Sequence, residues 1–227
     1  MNKQLLILTT LLLCFNVYSD VTTDHAACMK GDKVKCEDLG DIYDEGDGVP
    51  LNETKANIYY RKACSLNSGY GCQQLASNID DGDGIKQDSV QANQFNLKGC
   101  NLNNESACNN LGNSYLNGSG TKVNYQLAMK YFQKTIKLKN TSEAAAAALT
   151  SIGWMYSEGN GVKKNMKLSF NYYSKGCQLE YSRACYSVGT MYELGEGVGE
   201  NITKAKSFYS LACELGDEDG CTRLNEI

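Results

Sequence analysis

Cys64-Ser65-Leu66-Asn67-Ser68-Gly69-Tyr70-Gly71-Cys72 decides how the rest of the chain is read. Two cysteines eight positions apart enclose a short polar turn, and the same spacing recurs at Cys28 and Cys36, Cys100 and Cys108, Cys177 and Cys185, and Cys213 and Cys221. Successive pairs start 36 residues apart, except for one gap of 77. A fixed period between about 20 and 50 residues marks a repeat architecture, in which each unit buries its apolar face only against its neighbours.

Moving outward from each pair, the period superimposes two helices. Twelve positions before the first cysteine stand Asn52, Asp88, Asn124, Asn165 and Asn201, and eight before it stand Ala56, Ala92, Ala128, Ser169 and Ala205. An Asx side chain ahead of apolar residues at helical spacing is an N-cap, because it accepts from otherwise unpaired first-turn N–H groups. This predicts helix B. After the second cysteine come Leu39, Leu75, Leu111, Ile152, Val188 and Leu224 at +3, then Gly40, Ala76, Gly112, Gly153 and Gly189 at +4. Tyr43, Ile79, Tyr115, Tyr156 and Tyr192 follow at +7. Offsets 0, 3, 4 and 7 define one helical face, that of helix A, and the glycine ten positions past the cysteine suits its C-terminus. The position five before the first cysteine is always aromatic (Tyr59, Phe95, Tyr131, Tyr172, Phe208), and Tyr59, Tyr131, Tyr172 and the +7 tyrosines are expected in the core. The glycine-rich loops resemble phosphate cradles, but they lack a preceding strand and a Lys-Ser/Thr ending, so helix termination explains them.

The unit is therefore an antiparallel helix pair of 36 residues. Five A–B hairpins span about 33–216, closed by terminal helices, one bearing Cys28 and one near the C-terminus. Each Cys-x7-Cys straddles the turn from a helix B to the next helix A, where a tight turn can bring two Cα atoms within the roughly 4.4–6.8 Å that a disulfide requires. The interrupted repeat supports bonding: between Cys108 and Cys177 the expected pair is replaced by Ile136 and Leu149, with about five extra residues around Asn140-Thr141-Ser142-Glu143. Both cysteines are lost together. Zinc is the competing reading, but structural zinc sites favour ligands two to four residues apart or added histidines. His25 is the only histidine and reads as a solvated residue, so neither a metal nor another cofactor is expected.

Twenty-two Lys and Arg against 26 Asp and Glu give a formal charge of −4, and no basic run appears. Nucleic acid is not an expected partner, because phosphates need clustered cations. Lys3 followed by an apolar run, Leu5 to Phe15, and then Val17-Tyr18-Ser19, reads as a signal peptide over residues 1–19. Cleavage after Ser19 would remove Cys14, leave ten cysteines over residues 20–227, and export the chain to the periplasm or the medium. The run is short of the roughly 20 apolar residues of a spanning helix. A monomer is expected.

The quoted Leu/Ile/Val-Gly, Tyr, Gly-x-Gly-Val, Asn/Asp and Ala-x-x-aromatic positions resemble the Sel1-like repeat, a relative of the tetratricopeptide repeat. With one Cys-x7-Cys per unit, the chain is similar to the Helicobacter cysteine-rich protein family. The resemblance covers essentially all of 24–227 and implies an all-α fold, a right-handed α/α superhelical solenoid with each helix pair locked by a disulfide. It also implies two functions of different class. Most Sel1-like proteins are adaptors, while members of the cysteine-rich subgroup have been described as penicillin-binding proteins or slow β-lactamases.

For catalysis the residues offer Ser119 and Lys122, a Ser-x-x-Lys that opens no helix. With 17 Ser and 19 Lys in the chain, about 1.4 such matches arise by chance. The Lys-Thr-Gly element of serine β-lactamases is absent from the sequence. For binding, helix A positions +1, +2 and +5 point away from the core and form a polar ladder. Asn109, Asn110 and Asn113 contribute to it, followed by Trp154, Tyr186 and Thr190. Trp154 and Tyr186 are aromatic where the other repeats are polar, which contact with a ligand would explain. The expected function is a scaffold whose concave face binds a peptide, a protein or a peptidoglycan-derived fragment, with a weak β-lactam hydrolase as the alternative.

Overall fold

A computed structural model describes residues 21–227. The expected signal segment, its cleavage point and Cys14 lie outside the described residues. The described residues form twelve helices and no strand. Residues 21–29 are α1, followed by α2 (Lys33–Glu45), α3 (Glu53–Ser65), α4 (Gly69–Asp81), α5 (Ser89–Asn101), α6 (Glu105–Asn117), α7 (Tyr125–Leu138), α8 (Glu143–Glu158), α9 (Met166–Gln178), α10 (Ser182–Leu194), α11 (Ile202–Glu214) and α12 (Glu218–Glu226). The chain divides into two compact units, Met1–Ala107 and Cys108–Ile227. Even-numbered helices from α2 to α10 are helix A, and odd-numbered ones from α3 to α11 are helix B.

Local chemistry sets the helix limits. The side chains of Asn52, Asp88, Asn124, Asn165 and Asn201 each accept from the N–H three residues on, at 2.9–3.0 Å. Removing one such cap costs about 1 kcal/mol. Helix A carries its own caps: Asp32, Ser68, Ser142 and Asp217 start α2, α4, α8 and α12. Only backbone starts α10, because Tyr181 makes no side-chain capping bond. Gly46, Gly82, Gly159 and Gly195 end their helices in the left-handed region. In the first unit the loop after α4 then packs back on the start of α3, where Thr54 Oγ1 donates to Gly84 O at 3.1 Å and Asn57 Nδ2 to Asp83 O at 2.7 Å.

The core is arranged differently from the expectation. Of the aromatics five before the first cysteine, Tyr59 is buried as expected, whereas Tyr131 and Tyr172 are half-buried; each stacks on a +7 tyrosine, with ring centroids 5.6 Å apart for Tyr43 and Tyr59, 5.7 Å for Tyr115 and Tyr131, and 5.5 Å for Tyr156 and Tyr172. The residue one position later is buried throughout these repeats: Tyr60, Phe132, Tyr173 and Tyr209. Each of these rings lies against the helix A glycine at +4. A Cβ at Gly112 would stand 2.6 Å from the Phe132 ring, and one at Gly153 2.9 Å from Tyr173. In the second repeat Ala76 replaces the glycine, and the facing residue is Asn96 rather than a ring.

Four disulfides close the B-to-A turns in the described pairs: Cys28 to Cys36, Cys64 to Cys72, Cys177 to Cys185 and Cys213 to Cys221, with Cα atoms 4.5–4.9 Å apart. Cys100 and Cys108 are disulfide-bonded as well. In four of the five pairs the helices approach this closely because the residues just before the two cysteines are one glycine and one alanine; before Cys28 and Cys36 they are Ala27 and Lys35. The pairs are Ala63 with Gly71, Gly99 with Ala107, Gly176 with Ala184 and Ala212 with Gly220, and a Cβ on each glycine would lie 2.6–2.9 Å from its alanine. This number of disulfides marks an oxidising, extracellular type of compartment. Among the described residues no helix is long and apolar enough to cross a membrane.

Candidate functional site

Because the buried tyrosine of helix B passes over a glycine, its hydroxyl emerges on the outer face of helix A. In the first unit the Tyr60 hydroxyl donates to Asp41 Oδ1 at 2.8 Å, and Tyr70 donates to the same oxygen at 2.8 Å. Burial, reinforced by Asp41, pushes both hydroxyls well above their ordinary values. Asn78 Nδ2 donates to Asp44 at 3.2 Å, and Gln73 to Ser77 at 3.1 Å. The face presented by α2 and α4 is thus a fixed polar network with an acidic edge at Glu37, Asp38, Asp41, Asp44 and Glu45.

In the second unit α8 and α10 touch and carry the predicted Trp154, Tyr186 and Thr190. A cleft of about 290 Å³ opens there, with Tyr173, Tyr186, Ser187 and Thr190 among its walls. Burial raises the Tyr173 hydroxyl above its ordinary value, against the opposing effect of nearby serine side chains, so it remains neutral at physiological pH. Tyr209 donates to Glu193 Oε2 at 2.6 Å, and its hydroxyl lies 3.2 Å from Thr190 Oγ1; burial first, then Glu193, push it up to about 12. Arg223 from α12 closes this end by pairing with Glu193.

The two aromatics differ. Tyr186 packs on Tyr209 with centroids 5.5 Å apart, so part of its surface has a structural use. Trp154 is 40% exposed and has no ring partner among the described residues. Asn109 is buried with Oδ1 unpaired, while Asn110 and Asn113 are half-buried along the same helix, α6. Ser119 and Lys122 lie in the turn after α6. The Ser119 N–H closes on Ser114 O at 3.1 Å, so its position follows from helix termination, and neither residue lines the clefts described here. His25 is exposed and hydrogen-bonded through Nδ1 to the Tyr59 hydroxyl at 3.0 Å. No group of three His, Cys, Asp or Glu able to hold a metal occurs among the described residues.

Capped helix pairs, bonded across every B-to-A turn but the one between α7 and α8 and offering a polar helix A face, define a disulfide-stapled helical-repeat scaffold. The Sel1 repeat profile matches residues 36–68, 69–104, 105–140, 146–181 and 182–217, and the chain belongs to the Sel1 repeat family. Residues 141–145, the end of the lengthened α7–α8 turn and the start of α8, fall between the third and fourth matches.

A Sel1 repeat protein from Oxalobacter formigenes is similar over 94% of this chain and 88% of its own, with 26% identity and a TM-score of 0.81. A protective antigen of uropathogenic Escherichia coli displaying an SLR fold gives 25% identity and a TM-score of 0.78 over 90% of this chain, which spans 43% of that antigen's length. Helicobacter pylori cysteine-rich protein B is 29% identical over 75% of this chain and 92% of its own, with a TM-score of 0.31. No curated protein is recognisably similar to the chain.

Proposed function

We propose that the protein is an exported binding scaffold whose helix A face, taken as the concave surface, grips an extended peptide, a protein segment or a cell-wall fragment. The observation that carries this reading is Trp154, a large apolar ring 40% exposed on an otherwise polar face with no ring partner among the described residues. Hydroxyls and amides along α8 and α10 would bond the ligand's backbone or sugars, and the indole would supply apolar contact. Asn110 and Asn113 extend the same ladder on α6, and Asn109 adds a buried acceptor. Export rests on the signal-like start and on the disulfides, and predicts a mature chain beginning at Asp20 by mass.

Trp154 is the sole tryptophan, so its fluorescence reports directly on this face. Titrating the mature protein with soluble muropeptides and with an extended-peptide library should shift or quench that emission saturably, and Trp154→Ala should weaken binding at least tenfold by calorimetry. Unchanged emission together with full affinity in Trp154→Ala would remove the reading. Nitrocefin turnover abolished by Ser119→Ala would replace it with the hydrolase alternative.

A further inference from the structure

The second unit contains a larger cleft, about 580 Å³, between α7, α8 and α9. Ile136, Leu149, Ile152 and Leu179 give it an apolar lining, while Gln133 and Lys175 are among its polar groups. It lies where the repeat breaks its own pattern. Ile136 and Leu149 occupy the positions of a cysteine pair, and the turn from α7 to α8 is lengthened. Both side chains line the cleft.

Lys175 supplies a cationic group to the lining. Two positions before its cysteine, Lys98 in the first unit donates to Cys64 O at 2.7 Å and so caps the neighbouring helix end. Lys175 holds the same position before Cys177 but makes no such bond among the described residues. Its ammonium lies 5.8 Å from the centroid of Tyr172, which also borders the cleft. Gln133 on the other wall belongs to α7, where exposed Lys130 and Lys137, outside the lining itself, flank it three and four positions away on the same helical face. They belong to a segment, 122–178, that holds nine lysines and no arginine against two glutamates, hence +7 in a chain whose total is −4.

The turn bordering the cleft beyond Leu179 is also irregular. Glu180 has φ +59°, where the corresponding residues of other turns are Gly31, Asn67, Asn103 and Gly216, and the helix after it starts without a side-chain cap. Local rules broken at one wall of a cleft accompany function more often than structure.

We propose that this cleft docks an acidic segment of a partner protein. An aliphatic side chain enters against Ile136, Leu149 and Leu179, and the flanking carboxylates meet Lys175 on one wall and Lys130 and Lys137 on the other. In a chain that is acidic elsewhere, the positive segment fixes where such a partner lands. None of these residues belongs to the Trp154 face, so the two readings stand or fall separately.

The test is fluorescence anisotropy of the mature protein with a labelled pool of acetylated octapeptides alternating Asp or Glu with Leu, Ile or Val. Saturable binding is expected, weakening steeply between about 50 and about 500 mM salt. Lys175→Glu should lower affinity at least tenfold, as should Thr141→Trp, which places an indole at the mouth from an exposed loop position. Trp154→Ala should leave this binding intact. Equal affinity for a pool with Lys in place of Asp and Glu would overturn the proposal. So would indifference to both cleft variants in protein with unchanged helical melting, or stronger binding to phosphatidylglycerol vesicles than to the peptides.

Discussion

Tyr209 lies against the backbone of α10 at Gly189, where a Cβ would stand 2.8 Å from its ring. Alanine ordinarily favours a helix over glycine by about 1 kcal/mol. Here the close approach reverses the sign, and Gly189→Ala is expected to destabilise the chain by about 1–3 kcal/mol through overpacking. In a Tyr209→Ala background the ring is gone and the same substitution should be neutral or stabilising. A urea double-mutant cycle measures that coupling; additive effects would show that the contact does not limit the glycine.

The disulfides make a second, separable contribution. Closing a loop as short as that between Cys64 and Cys72 restricts the unfolded chain by roughly 2.5 kcal/mol on the chain-entropy estimate. Cys64→Ala with Cys72→Ala should lower the urea midpoint accordingly while helical content is retained. Before reduction, denatured mature protein should take up no alkylating agent on the ten cysteines from Cys28 to Cys221, and peptide mapping should join each cysteine to the one eight positions away. A bridge between non-neighbouring turns would contradict the observed pairing.

Glu180 holds a backbone conformation that its β-carbon disfavours. Glu180→Gly, or Glu180→Asn after the pattern of Asn67 and Asn103, should stabilise the second unit by about 0.5–1 kcal/mol in thermal or urea melts. A loss of stability would mean that Glu180 makes a contact worth more than its strain.

Features repeated as single-residue patterns were legible in the sequence. The Asx caps at Asn52, Asp88, Asn124, Asn165 and Asn201, the glycines ending helix A, and the cysteine spacing each act within one turn of chain, so the residue alone carries the signal. The core expectation is met at Tyr59 but falls one residue short at Tyr131 and Tyr172, because the position that is aromatic in every repeat, Tyr59, Phe95, Tyr131, Tyr172 and Phe208, attracted it. The buried position varies through Tyr60, Asn96, Phe132, Tyr173 and Tyr209, and it varies in step with Gly40, Ala76, Gly112, Gly153 and Gly189. That information lies in pairs, as does the alternation of Ala63 and Gly71 with Gly99 and Ala107. Of the binding ladder, the positions could be read from helical period. The hydroxyls that Tyr60, Tyr173 and Tyr209 deliver to it from below could not, because they depend on one helix crossing another. The lysine-walled cleft was hidden for a further reason: total charge conceals a segment whose sign opposes the rest.

The pair formed by Glu193 and Arg223 ties the terminal helix to α10, and its pH dependence has a definite sign. Arg223 holds the Glu193 carboxyl below its ordinary 4.5, against the opposing effect of burial and with help from the Tyr209 hydroxyl. A carboxyl with a lowered folded-state value contributes stability that is fully present above 4.5 and is lost as pH falls through the lower value, because the unfolded chain takes up the proton first. Urea denaturation from about pH 6 to about pH 3 should therefore show stability declining more steeply in the native chain than in Arg223→Gln. Glu193→Gln should flatten the same interval without lowering helical content at pH 7. Matching slopes in all three proteins would show that the α10–α12 pairing leaves Glu193 energetically as it is in the unfolded chain.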